Sequence, residues 1–256
     1  MAAPLKIFTI ESLNVRLYAS PLDLAQDAAR KVQAHLQEVL AAQGSARTIL
    51  ATGNSQLQFL DELIRLGEVD WSKITLFHMD EYLGISADDS ASFRHYMRER
   101  VENKIKPRQF HYIEGNALEP IKECERYGRL LQEQPIDLCC FGIGENGHLA
   151  FNDPPVANFT DVQPVKIVKL DDVCKMQQVK QGHFPNLASV PSYALTLTIP
   201  ALCSVKKMVG LCPGKNKAQP VRDALRGPVS PACPASILRR QPHAVLLLDT
   251  DSASLL

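Results

Sequence analysis

The sequence predicts an α/β fold, a single domain over residues 1–256 built on a doubly wound, mostly parallel sheet with helices on both faces. Three observations carry that expectation. Short apolar runs alternate with longer segments of helical period, the pattern of parallel strands joined by right-handed crossovers. Runs such as Thr48–Ala51 and Ile136–Phe141 read as strands buried on both sides. Polar and Gly-rich residues gather where these runs end, which is how an open α/β sheet presents chemistry at its carboxyl edge.

The elements follow in order. Ser20-Pro21 supplies an N-cap and a first-turn residue, and the helix it opens runs to Gln43 and is closed by Gly44. The strand Thr48–Ala51 ends at Thr52-Gly-Asn-Ser-Gln56, and a helix follows with Leu57, Leu60 and Ile64 on one face, closed by Gly67. Lys73–Phe77 is the next strand and enters His78-Met-Asp-Glu-Tyr82. Ser92–Lys104 and Ile121–Gln132 read as helices, and Ile136–Phe141 as a strand. Further strands are expected near Val165–Lys169, Ala194–Ile199, Met208–Cys212 and Ala244–Leu248, with helices at Val173–Gln181 and Lys215–Leu225. The stretch 154–191 is the least regular and is expected as a flap.

Composition excludes several classes of function. Among 256 residues, 28 basic side chains balance 28 acidic ones, so no global field draws the chain to nucleic acid or to an anionic membrane. An anionic substrate must therefore be held by local groups. No apolar run has the length of a membrane span, and no signal peptide is visible. The cysteines, Cys124, Cys139, Cys140, Cys174, Cys203, Cys212 and Cys233, are odd in number and lack metal-type spacing, which fits a reducing cytoplasm. His35, His95, His111, His183 and His243 show no metal spacing either.

Four strand ends carry the candidate chemistry. The most informative is Gly142-Ile-Gly-Glu-Asn-Gly-His-Leu-Ala-Phe-Asn-Asp-Pro154, where Gly142, Gly144 and Gly147 permit a sharp turn and close approach to a ligand. His148 and Asp153 then supply an imidazole and a carboxylate, and Asn146 stands one glycine before the histidine. Thr52, Gly53, Asn54, Ser55 and Gln56 open a helix, where backbone N–H groups and hydroxyls suit a phosphate. Asp80 and Glu81 end a strand as paired acids, a pattern shared by catalytic sites and solvated turns. Lys217 stands at a helix start, where the helix dipole disfavours a cation unless an anion is bound there.

Together these loops resemble the glucosamine-6-phosphate deaminase family, which is related to the 6-phosphogluconolactonases. The resemblance spans roughly residues 10–250. It rests on Ala51-Thr-Gly-Asn-Ser55, Phe77-His-Met-Asp-Glu-Tyr82, the Gly142–Pro154 stretch, Val190-Pro-Ser-Tyr-Ala-Leu-Thr196 and Gly214-Lys-Asn-Lys217. Tyr82 and the Leu149-Ala-Phe-Asn152 continuation place the chain on the deaminase side, because the lactonases usually carry Asp-Glu-Arg and Gly-His-Thr-Ala-Ser there.

The resemblance implies a Rossmann-like fold and an enzyme that opens the ring of glucosamine 6-phosphate, isomerises it to the ketose and releases ammonia, without cofactor or metal. It implies His148 as the ring-opening catalyst and Asp80 as the base that moves the C2 proton to C1. Lys217 and residues 52–56 would hold the phosphate, and Glu81, Gly144 and Gly147 would complete the substrate site. It leaves a homo-oligomer open. Three departures stand out. The family commonly has Asp where this chain has Asn146, which is expected to accept a hydrogen bond from the imidazole in its place, and Glu where it has Asp153, whose shorter side chain is expected to reach His148 only if the loop is displaced. Its phosphate-clamping Arg is also missing from the 173–181 helix, which offers only Lys175 and Lys180. Lactone hydrolysis and a catalytically weak sugar-phosphate sensor therefore remain alternatives.

Overall fold

The computed structural model describes residues 3–256. Strands β1 (Lys6–Ile10) and β2 (Leu13–Tyr18) form an antiparallel hairpin, an addition to the expected elements. Helix α1 (Pro21–Gln43) begins where Ser20 Oγ accepts from the Asp23 N–H at 3.2 Å, and stops at Gly44 in the left-handed region. Then come β3 (Ala46–Leu50), α2 (Asn54–Leu66), β4 (Ile74–His78) and β5 (Asp80–Tyr82). Helix α3 (Phe93–Met97) continues through a π turn at Arg98–Glu102 into α4 (Asn103–Ile105). Strand β6 (Gln109–His111), α5 (Pro120–Gln132) and β7 (Leu138–Phe141) follow. The chain continues with β8 (Val165–Lys169), α6 (Asp172–Lys180), β9 (Tyr193–Leu197) and α7 (Ile199–Cys203). It finishes with β10 (Met208–Cys212), α8 (Ala218–Arg226) and β11 (Ala244–Asp249).

The main sheet has eight strands in the order β1-β2-β11-β10-β7-β3-β4-β6, parallel everywhere except at the β1–β2 hairpin. Side chains alternate between its two faces. Phe141, Cys139, Ile49, Leu246 and Leu248 enter one core with Tyr127 of α5 and Val221 and Leu225 of α8. Leu138, Cys140, Leu50 and Leu247 enter the other, under Leu24, Ala28 and Leu36 of α1 and Phe59 and Leu63 of α2. This two-sided burial requires the near-continuous apolar runs read in the sequence.

Two expected strands of that sheet belong elsewhere. Strands β8 and β9 pair with β5 in a separate three-stranded antiparallel sheet ordered β5-β9-β8. It joins the main sheet where the Leu197 N–H donates to the Met79 carbonyl at 2.9 Å. A smaller core of Tyr82, Phe93, Phe151, Val168, Leu170 and Cys174 lies against it.

Glu81 is what fixes β5 to the helix after it. Its fully buried carboxylate accepts from Ser92 Oγ at 2.6 Å, from the Phe93 and Arg94 N–H groups at 3.1 and 3.0 Å, and from Arg94 Nε at 3.3 Å. It therefore caps α3 and anchors a buried guanidinium, and it does not line the substrate cleft described below. The expected substrate role for Glu81 is corrected to a structural one. Glu81→Ala should cost about 3 kcal/mol in denaturant unfolding, the low end for breaking a buried pair, since Arg94 keeps Glu114. Asp88→Ala, which breaks an exposed pair with Arg98, should change stability by less than about 0.5 kcal/mol. Equal losses in the two variants would contradict the assignment.

Candidate active site

The main sheet is built outward in two directions. From β3 the chain moves to β4 and β6; from β7 it moves the other way to β10 and β11. The order reverses between β3 and β7, and in an open α/β sheet a crevice forms outside the carboxyl ends at such a switch point. The loops after β10, β7, β3 and β4 converge there on a cleft of about 260 Å³. Thr52, Gly53, Asn54 and Ser55 line it from the β3 end, Asp80 from the β4 end, Gly144 and His148 from the β7 end and Lys217 from the β10 end. Loops far apart in sequence thus meet in one place.

The histidine turn is held from several sides. The Gly144 N–H donates to the His148 carbonyl and the Gly147 N–H to the Gly144 carbonyl, each at 3.0 Å. A Cβ on Gly144 would sit 2.1 Å from His148 Nε2, so the imidazole lies across a surface that only glycine provides. Gly147 takes φ 82° to make the turn, and it shapes the loop without lining the cleft. Asn152 Nδ2 donates to the carbonyls of Leu149 and Leu197 at 2.9 and 2.8 Å, tying the turn to β9.

Within this frame Asp153 Oδ1 lies 2.9 Å from His148 Nδ1, an ion-pair contact whose approach is too oblique for a linear hydrogen bond. Asn146 does not touch the imidazole, which corrects the expectation that it would accept from the ring. Its Oδ1 accepts from the His148 backbone N–H at 3.1 Å, and its Nδ2 donates to Asp153 Oδ1 at 2.9 Å and to Asp171 Oδ2 at 3.3 Å. Asn146 therefore orients the carboxylate, and Asp153 faces the histidine. Asp153 reaches His148 because the chain folds back through Ala150, held at φ 51°, and the Leu149–Asn152 bridge.

Comparison with known proteins matches residues 19–247 to the model of the glucosamine-6-phosphate isomerases/6-phosphogluconolactonase family. The chain belongs to that family. It is 35% identical over 214 residues to a glucosamine-6-phosphate deaminase of Listeria monocytogenes, covering 83% of this chain and 89% of that protein. A Bacillus thuringiensis glucosamine-6-phosphate deaminase is 30% identical over 243 residues, 95% of this chain and 89% of the relative. The solved structure of a monomeric glucosamine-6-phosphate deaminase superposes with a TM-score of 0.88 at 33% identity, covering 94% of this chain and 99% of that one. A 6-phosphogluconolactonase from Shewanella baltica superposes at 0.76 with 20% identity, over 96% of this chain and 99% of its own, and shares the fold.

Against the family pattern, neither lysine of α6 stands in for the clamping arginine. Lys175 lies 3.9 Å from Asp172, Lys180 is exposed, and neither lines the cleft. The helix and the turn after it instead present Gln177, Gln178, Gln181 and His183 to the cleft, residues the sequence reading missed. Gln177 and Gln178 are buried, where amides need partners, but the sequence carried no mark of that burial. Gln56 is also displaced from the expected role: it is buried, and its Nε2 bonds Ser55 Oγ at 3.1 Å from behind the loop. Phe93 and Phe151 add an apolar wall, stacked with centroids 5.6 Å apart.

The site separates its two buried carboxylates electrostatically. Burial and the nearby charges of Glu81 and Asp153 push the Asp80 carboxyl well above the usual range. Burial also pushes Asp153 upward, but pairing with His148 and the Asn146 amide outweighs it and leaves Asp153 below its ordinary value. One acid is thus raised toward base chemistry, and the other is held ionised beside the imidazole. Carboxyl-carbon NMR should place the Asp80 midpoint well above the ordinary 3.8, and Asp153→Asn should lower it by removing a like charge. A midpoint unchanged by that substitution would mean that the two acids do not feel each other.

Proposed function

We propose that this chain is a glucosamine-6-phosphate deaminase, converting glucosamine 6-phosphate and water to fructose 6-phosphate and ammonia. One observation carries the reading: Asp80 is buried, bears no side-chain partner among the described residues, and lines the same cleft as His148, which Asp153 backs. Binding alone does not require an unpaired acid in a low-dielectric wall, where its burial is costly.

The chemistry follows from the groups present. Ring opening moves a proton from the anomeric hydroxyl to the ring oxygen, work suited to an imidazole, which can both give and take a proton. Asp153 stabilises the imidazolium formed on the way. Asp80, as carboxylate, then removes the C2 proton and returns it to C1, and its raised pKa makes it a stronger base than an ordinary carboxylate. The C2 nitrogen, now on an imine carbon, is replaced by water and leaves as ammonia.

Lys217 supplies the phosphate charge. It is buried against the cleft, burial lowers its pKa, and no carboxylate of the described residues pairs with it within ion-pair distance. Thr52, Ser55 and the start of α2 line the same volume, where N–H groups and hydroxyls suit a phosphate. The free cysteines suit a reducing compartment, the cytoplasm. The stretch 154–191 acts as a flap: α6 closes the cleft with its glutamines, and Phe184 rests edge-on against Tyr82 with centroids 5.3 Å apart.

A coupled assay for ammonia from glucosamine 6-phosphate tests the reading, and hydrolysis of a phosphosugar lactone with no ammonia would overturn it. Asp80→Asn should abolish turnover while sugar-phosphate affinity stays within a few-fold, because the amide keeps shape but cannot take a proton. Turnover within about tenfold of wild type would remove Asp80 from the mechanism. Lys217→Ala should weaken glucosamine 6-phosphate binding by roughly 1.5–3 kcal/mol, the range for hydrogen bonds to charged groups. Isothermal titration giving equal affinities for the two proteins would place the phosphate elsewhere.

A further inference from the structure

The flap helix brings a third ligand-type atom to the histidine turn. Cys174, a buried free thiol on α6, has its Sγ within 4.8 Å of both the His148 and Asp153 ligand atoms, and those two lie 2.9 Å apart. The set is short of partners. Asp153 is fully buried with no hydrogen bond to its Oδ2, and His148 Nδ1 is buried with none of good geometry. Unsatisfied buried polar atoms are rare, and two of them beside a buried thiol in one small space mark a place for a ligand.

We propose that His148 Nδ1, Asp153 and Cys174 form an inhibitory site for a thiophilic divalent cation of the zinc and cadmium class. Three observations select that ligand. A thiolate with an imidazole favours zinc-like over magnesium- or calcium-like ions. Three protein ligands with a fourth position left for water is an established zinc arrangement, with ligand bonds of roughly 2.0–2.3 Å that small side-chain shifts can satisfy here. A thiolate and a carboxylate also neutralise a dication, so the buried cluster carries no net charge. On binding, the thiol proton passes to solvent, the imidazole coordinates as the neutral form, and no electron changes hands.

The surrounding contacts prepare the site. Asn146 Nδ2 already holds Asp153 Oδ1 at 2.9 Å from outside the cluster, the kind of outer hydrogen bond that orients a metal-binding carboxylate. Two more contacts join α6 and its N-cap to the same turn: the Glu145 N–H to Gln177 Oε1 at 3.0 Å and Asn146 Nδ2 to Asp171 Oδ2 at 3.3 Å. A cation bridging Cys174 to His148 pins the flap to the turn and occupies the pair assigned to ring opening. The inhibitory consequence rests on the deaminase reading; the binding itself does not.

Titrating the purified protein with cadmium and following the thiolate-to-cadmium absorption separates the two. The wild-type protein should show a saturating band that zinc displaces. Cys174→Ser should lose it, and a Cys124→Ser, Cys203→Ser, Cys233→Ser triple variant, lacking the more accessible thiols, should keep it. His148→Gln and Asp153→Asn should each weaken cadmium binding about tenfold or more, which keeps the test decisive if the Cys174 variant does not fold. No band in wild type, a band that survives Cys174→Ser, or unchanged affinity in both other variants would overturn the site. Zinc bound without slowing ammonia release would overturn its inhibitory role. A protein that releases no ammonia at all fails the functional reading, and the cadmium titration still decides the site.

Discussion

Strands that run parallel deliver all their carboxyl ends to one edge, and the cleft depends on that constraint. Strands β10, β7, β3 and β4 are neighbours, so Lys217, His148, Ser55 and Asp80 are brought together by sheet order, although 162 positions separate the outermost two, Ser55 and Lys217. The reversal between β3 and β7 opens the space between their loops, and helices cannot cover both sides of it. The second sheet serves this arrangement. Strand β5 carries Asp80 away from the end of β4, and β9 holds it through the Asp80–Thr196 register and braces the histidine turn through Asn152.

Low dielectric gives the same residues their chemical differences. Asp80, Glu81 and Asp153 are all buried, yet each has a different fate. Glu81 is saturated by Ser92, Arg94 and two helix N–H groups and becomes architecture. Asp153 is held ionised by His148 and Asn146. Asp80 has neither kind of support and is pushed upward, so it is the acid left free to exchange a proton. Residue type alone does not separate these roles; the hydrogen bonds made by neighbours do.

Local signals were legible in the sequence where the physics is local. Ser20, Gly44 and Gly67 marked helix ends because capping is decided within one turn, and the Gly142–Pro154 stretch announced a site because its glycines have no other use. What depends on tertiary placement was not legible. Val165–Lys169 and Tyr193–Leu197 read as strands, but strand character does not say which sheet a strand joins. The β1–β2 hairpin was missed because β1 is half-exposed at an edge and shows no buried run. Asn146 was expected against the imidazole from its spacing, whereas the turn's φ values send its side chain to a backbone N–H and to Asp153. Gln177, Gln178 and Cys174 reach the cleft or the turn only through the folding of the 154–191 stretch.

The central claim is that the unpaired acid on β5 moves a proton between two adjacent sugar carbons. It is tested most directly by supplying glucosamine 6-phosphate deuterated at C2 in ordinary water and locating the label by NMR. The account predicts that the wild-type protein carries deuterium from C2 to C1 of the fructose 6-phosphate it forms, and that Asp80→Asn leaves the label on C2. Wild-type product with no deuterium at C1, or loss of the C2 label at the wild-type rate in the Asp80→Asn protein, would contradict it.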